Sequence, residues 1–236
     1  MSQILVHLVM LHLLITNLHH EDLTGSSALI LLGQAIIITT EKVKFTNKGE
    51  KMNFENSIVL NGKHFMIKKL LGKGKGGYSW LAENETGQFV IKQIHHEPCS
   101  YYQFGDKIRS EYDDYFRLQN AEIRIPKMID IDFDRELILK EYIDGPTIVE
   151  MIKSNEICQD YYDQILTMSR QAKEAGLNID YYPTNFIVQD HLLYYVDYEC
   201  NNYMVEWDFD HWGQQFWTDS ASFRKAFDSV SNDSHE

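Results

Sequence analysis

Cysteine is rare in this 236-residue chain: only Cys99, Cys158 and Cys200, far apart and without a CxxC pair. That excludes a disulfide scaffold and a thiolate zinc site, and it fits a reducing compartment. The ten histidines include the pairs His19–His20 and His95–His96, but none has zinc-site spacing to another His or Cys. They read as structural or surface residues. Long hydrophobic runs are missing too. Ile4–Leu14 is interrupted by His7 and His12, and Ala28–Ile38 by Gln34. Neither reaches the roughly 18–20 apolar residues that cross a bilayer. The first charged residue is Glu21 rather than a lysine or arginine, so a secretory signal is not expected there. A cytoplasmic location with no membrane partner is expected, and a weakly anchored binding protein is the remotest alternative. Internal repeats and low-complexity tracts are absent as well.

Basic charge is scarce where it matters most. The net charge is −13, which argues against nucleic-acid partners. Glu141–Glu236 holds 18 acids against 5 Lys/Arg, so the whole excess lies there. Lys63–Lys75 is the reverse, with five lysines and no acid. A basic early segment suits phosphates. An acidic later one suits metal ions or basic substrates, or simply keeps the surface solvated. Residues 1–51 differ from the rest and read as a poorly structured extension or as no part of the native protein. Lys48-Gly49-Glu50-Lys51 before Met52 can be encoded with GGAG just ahead of ATG, the pattern of a bacterial ribosome-binding site. A start at Met52 and a plain polar linker are both open readings.

What is present begins with an apolar fraction of 44%, enough for a packed core. "HFMIKKLL" (64–71), "YSWLAE" (78–83) and "QFVIKQI" (88–94) predict a three-strand antiparallel meander, its first turn rich in glycine. Asp106–Gln119 predicts a helix in which Ile108, Glu111, Tyr115 and Leu118 share one face. A carboxylate on that face is costly unless a cation meets it. "KMIDIDFDRELILKEYI" predicts a hairpin turning near Asp134-Arg135. Asp130, Asp132, Asp134 and Glu141 imitate a calcium loop, but Arg135 stands where that loop needs glycine. "DGPTIVEMI" starts a short helix, and Asp160–Ala175 forms a longer one stopped by Gly176. "LNIDYYPTN" follows as a loop, and "FIVQDHLLYYVD" as a tight hairpin with Asn185 and Asp197 at its open ends.

The residues that carry chemistry lie on these elements. Gly72, Gly74 and Gly77 form GxGxxG, where glycine lets backbone N–H groups approach phosphate oxygens. The segment that follows is strand-like, which disfavours a dinucleotide fold and favours a loop between antiparallel strands. Lys92 sits on the third strand and Glu111 on the next helix. A lysine so placed can reach nucleotide phosphates, and a glutamate can hold it there. Asp180, Asn185 and Asp197 are either ordinary turn formers or oxygen ligands of the kind Mg2+ takes together with phosphates.

In this order the motifs resemble the protein-kinase-like superfamily. "GKGKGG" is similar to the Gly-rich loop, "FVIK" to the strand lysine and Glu111 to the helix glutamate. "LKEYIDG" resembles the hinge, "NIDYYPTN" the catalytic loop and "VDYE" the D-F-G segment. The resemblance covers about Lys63 to Gly213. It implies an α+β, two-lobed kinase-like fold: a small antiparallel-sheet N-lobe at 52–140 and a reduced, mainly helical C-lobe at 141–236. It also implies ATP and Mg2+ as cofactors, with Gly72, Gly74, Gly77, Lys92, Glu141 and Tyr142 around the nucleotide. In that frame Glu111 orients Lys92, Asn185 and Asp197 hold metal, and Asp180 takes the proton of the attacking hydroxyl.

Departures from the pattern shape the functional expectation. Asn178-Ile179 stands for His-Arg, which removes the arginine that receives an activation-segment phosphate. Tyr198-Glu199 stands for Phe-Gly, so one fixed conformation of that segment is expected, and Glu199 is a further candidate metal carboxylate. No proline follows Pro183, so there is no Ala-Pro-Glu motif, and 39 residues follow Asp197, fewer than a protein-kinase substrate platform uses. The segment is also similar to that of choline and aminoglycoside phosphotransferases. The leading expectation is an atypical Ser/Thr protein kinase. The alternatives are a small-molecule phosphotransferase and a nucleotide-binding pseudokinase that serves as an interaction module; the acceptor is a protein or a small hydroxyl-bearing substrate. Trp207, Trp212, Phe216 and Trp217 either cage a cation or, the preferred reading, cap the core.

Overall fold

The computed structural model describes residues 57–97 and 105–228, within a compact unit running from Lys51 to Glu236. The expectations for 1–51, for Met52 and for Cys99 lie outside the described residues. Six strands form one antiparallel sheet. They are β1 (Ser57–Leu60), β2 (Lys63–Lys73), β3 (Gly77–Asn84), β4 (Gly87–Ile94), β5 (Met128–Asp132) and β6 (Leu137–Glu141), in the order β1-β2-β3-β4-β6-β5. The expected meander is β2-β3-β4, and the expected hairpin, β5-β6, continues the same sheet.

β1 was not anticipated. Its signal is the Asn61-Gly62 pair, both with positive φ (46° and 77°), joining Leu60 to Lys63 as a two-residue hairpin turn. Its alternation buries Ile58 and Leu60. Asn61 Nδ2 also donates to Asp130 Oδ2 at 2.5 Å, which ties this turn to β5. Asp132 meanwhile accepts from the Arg135 backbone. Asp130 and Asp132 of the calcium-like series are thus engaged by Asn61 and Arg135.

Helix α1 (Lys107–Asn120) is capped by Asp106, whose side chain accepts from Arg109 N at 3.0 Å. It buries the face its spacing predicts: Ile108, Glu111, Tyr115 and Leu118. Helix α2 (Ile148–Lys153) starts with a Thr147/Glu150 capping box. Helix α3 (Gln159–Glu174) buries Tyr161, Ile165, Met168 and Ala172, and Gly176 follows at φ 71°. Helix α4 (Ala221–Phe227) begins at a Ser220 cap.

The short strands β8 (Phe186–Gln189) and β9 (Leu192–Tyr195) form the expected hairpin. One expectation is corrected. Leu177–Ile179 is a strand, β7, paired antiparallel with β10 (Cys200–Asn202), and not part of the loop. Three residues are too few for a periodicity to show, and the partner is remote in sequence.

Three apolar clusters follow from this layout. One joins β1 to β6 on a single sheet face, around Phe65, Ala82 and Ile91. A second gathers α2, α3 and the β8-β9 hairpin around Ile165, Phe186 and Trp217. The third, with Ile94, Ile108, Tyr115, Ile138 and Tyr198, lies between the sheet and α1. The arrangement is mixed α and β with antiparallel pairing in every named strand pair, in line with the coarse expectation.

The segment after β6 runs hard against β8. Val188 N donates to Pro146 O at 3.0 Å, and a Cβ on Gly145 would stand 1.8 Å from Val188 O. Only glycine fits there without moving backbone. Gly145→Ala is expected to cost about 2–3 kcal/mol, read as a lower denaturation midpoint at unchanged slope.

Candidate active site

β4 is a central strand covered on both faces, and Lys92 is 9% exposed within it. Its Nζ lies 2.8 Å from Asp197 Oδ1 and 2.9 Å from Glu111 Oε1. Glu111 comes from α1, is 1% exposed, and its carboxylate has no hydrogen bond beyond this ion pairing. Asp197 comes from the segment after β9 and keeps part of its side chain open to solvent. Burial alone would pull the Lys92 amine down, but the charges of Asp197 and Glu111 outweigh it and hold the amine well above its ordinary value. Burial would likewise raise Asp197. The nearby lysines, Lys92 first, hold it well below the usual carboxylate range instead.

The hairpin places the remaining oxygen groups. Val196 N donates to Asn185 O at 2.8 Å, so Asn185 and Asp197 meet at the open end of β8-β9, as expected. Asn185 ends a 3-10 turn, Pro183–Asn185, and its Nδ2 reaches Asp180 O at 3.4 Å. Asp180 Oδ1 accepts from Tyr182 N at 3.1 Å. Burial pushes the Asp180 carboxyl up, against that backbone bond. The buried Tyr195 hydroxyl accepts from Asp180 N at 3.3 Å and donates to Glu199 O at 2.8 Å, linking the loop to the segment after Asp197.

The glycines divide. A Cβ on Gly77 would meet Gln93 O at 2.9 Å and Lys92 Cε at 3.2 Å, so Gly77 lets the lysine pass. Gly72 has open space and Gly74 only Gly77 O at 3.8 Å, although Gly74 N donates to that same oxygen and closes the turn. Glu141 and Tyr142 do not join the cluster. The Glu141 carboxylate accepts from Lys127 N at 3.0 Å, and Tyr142 OH reaches Asp144 at 3.3 Å. Glu199, weighed as a metal carboxylate, faces Lys107 (3.6 Å) and Lys75 (4.0 Å) instead.

Lys140 escaped the sequence reading. It is 5% exposed on β6, donates to Val196 O at 2.6 Å and lies 4.6 Å above the Tyr198 ring. The signal was parity: Ile138 pairs with Lys92, so Lys140, two residues on, shares the Lys92 face. Tyr198 itself is fully buried, and its hydroxyl donates to Pro126 O at 2.6 Å. Of the aromatic quartet, Trp217 is fully buried against Phe186 and Phe209, as preferred, whereas Trp207 is 51% exposed.

Among the described residues no three of His, Cys, Asp and Glu converge as a metal cage. The oxygen groups of Asp197 and Asn185 form a sparse, hard donor set. Such a set fits an Mg2+ shared with phosphates rather than one held by protein alone. A surface hollow lined by Tyr162, Leu166, Phe209 and Gln214 includes none of the cluster residues.

Two outcomes follow. Lys92→Met strips the nearest cation from buried Glu111, leaving it only Lys107 at 3.8 Å, and is expected to cost about 3 kcal/mol. Adding Glu111→Leu recovers much of that loss in a denaturation double-mutant cycle. Lys140, pushed down to about 8 by burial and then by the Lys92 charge, has a folded value below its unfolded one. The unfolded chain therefore holds more protons above pH 8, and stability rises with pH. Between pH 8 and 9.5 the stability of wild type is expected to rise relative to that of Lys140→Met by about 1.5 kcal/mol, the difference between the two curves removing the opposing titration of groups such as Cys200.

No family model matches this chain. None of the curated proteins matches it either.

Proposed function

We propose that the protein transfers the terminal phosphoryl group of ATP to a hydroxyl, with Mg2+, as an atypical Ser/Thr protein kinase. In this reading the six-stranded sheet and α1 form a small lobe (52–140) and the elements from Glu141 onward a reduced second lobe (141–236). The observation that carries it is the convergence of Lys92, Glu111 and Asp197 from three separate elements, with Asp180 and Asn185 beside them.

Phosphoryl transfer asks for positioning and charge neutralisation more than for covalent chemistry. Lys92, kept charged by two carboxylates, binds phosphate oxygens. Glu111 fixes where its ammonium points. Asp180, raised by burial, accepts the acceptor's hydroxyl proton at its carboxylate. Asp197 and Asn185 are the side chains that would hold Mg2+, which supplies charge neutralisation at the phosphates.

A small hydroxyl-bearing acceptor is a second reading with support of its own. Between Asp197 and α4 lie only β10 and two 3-10 turns, Val205–Trp207 and Gly213–Phe216. They offer little surface on which to lay a peptide.

The test is transfer from γ-labelled ATP with Mg2+ by the full chain, beside Asp197→Ala. Label on the wild-type protein alone is the expected result. ATP consumption without protein label favours the small acceptor, and no turnover by folded protein contradicts both. Asp180→Asn is expected to slow turnover about 100-fold or more.

A further inference from the structure

We propose that Lys107 is a second phosphate-binding lysine of this site, held in the free protein by Glu199 until a polyphosphate replaces that carboxylate. The inference rests on the nucleotide reading above and concerns residues to which that reading gives no role. Three observations place Lys107 in the site. The residue is 8% exposed, unusual for a lysine at the start of a helix. Its Nζ lies 3.8 Å from Glu111 Oε1, the atom that Lys92 contacts at 2.9 Å. Two ammonium groups thus share one carboxylate oxygen. Its stem also passes beneath the glycine turn: a Cβ on Gly76 would stand 2.8 Å from Lys107 Cε.

The last point mirrors Lys92. Adjacent glycines, Gly76 and Gly77, each have a lysine stem crossing them. The turn is therefore shaped around two lysines, whose ammonium groups both approach Glu111 Oε1. Gly76 lies outside the GxGxxG register, so the motif alone gives it no purpose.

Glu199 supplies the other half. Its carboxylate stands 3.6 Å from Lys107 and 4.0 Å from Lys75 at the tip of the turn. One anionic group thus touches a helix lysine and a loop lysine at once, as a phosphate oxygen cluster would. Its backbone carbonyl is pinned by Tyr195, so the carboxylate is presented from a fixed point two residues past Asp197. In this proposal phosphates entering the site also engage Lys92. They then compete with Glu199 for Lys107 and Lys75, and the Coulomb attraction passes from one anion to the other with little net loss.

Calorimetric titration of the full chain tests this, with ATP, tripolyphosphate and adenosine as probes and EDTA present. The expected result is wild-type binding of ATP. Lys107→Met weakens ATP and tripolyphosphate about tenfold and leaves adenosine unchanged. Glu199→Gln, which keeps shape and removes charge, tightens both phosphates about threefold. If Lys107→Met binds ATP as wild type does, the lysine's role is overturned and the phosphotransfer reading stands. If Glu199→Gln leaves the EDTA titrations unchanged and weakens only ATP in a parallel titration with Mg2+ in place of EDTA, Glu199 is a metal ligand and its holding role is overturned. If wild type binds no ATP at all, both this proposal and the reading beneath it fall together.

Discussion

An ammonium buried in a central β-strand is held by carboxylates that the sheet itself does not supply. Lys92 is nearly enclosed on β4, and each of its charge partners arrives from elsewhere: Glu111 from α1 and Asp197 from the far end of the β8-β9 hairpin. Because Lys92 is the closest cation to both carboxylates and losing it leaves them poorly compensated, the sheet, the helix and the hairpin are fixed relative to one another by this contact as well as by apolar packing. The apolar cluster beside it, Ile94, Ile108, Tyr115, Ile138 and Tyr198, joins the same three parts. Charge and packing therefore specify one arrangement twice.

The cluster is richer in lysine than its sequence motifs suggest. Lys92, Lys107 and Lys140 all bear on Asp197, while Glu111 and Glu199 supply the other negative charges. Lys140 holds the backbone just before Asp197 through Val196 O, and Tyr195 holds the backbone just after it through Glu199 O. Asp197 is thereby locked on both sides. The glutamate at position 199 acts in the same direction, since any side chain restricts the backbone more than glycine does.

Much of this was legible in the sequence because it depended on short-range patterns. The spacing of Ile108, Glu111, Tyr115 and Leu118 marked the helix face and the anomalous carboxylate on it. The tight hairpin after Asn185 brought that residue to Asp197. What escaped depended on contacts remote along the chain. β7 and β10 are three residues each and pair across a long separation. Lys140 had no role of its own in the sequence, because its burial is decided by the register between β4 and β6. Gly76 and Lys107 are unremarkable in sequence, and only the path of the lysine stem under the turn connects them. Glu141 and Tyr142 carried motif resemblance, yet their side chains serve Lys127 and Asp144.

The central claim is that these residues assemble a polyphosphate-metal site. Water-proton relaxation with Mn2+ in place of Mg2+ measures that directly on the full chain. The predicted result is Mn2+ binding that requires ATP in wild type and is lost in Asp197→Asn while the fold, followed by circular dichroism, is kept. Mn2+ binding unaffected by ATP, or none in its presence, would contradict it.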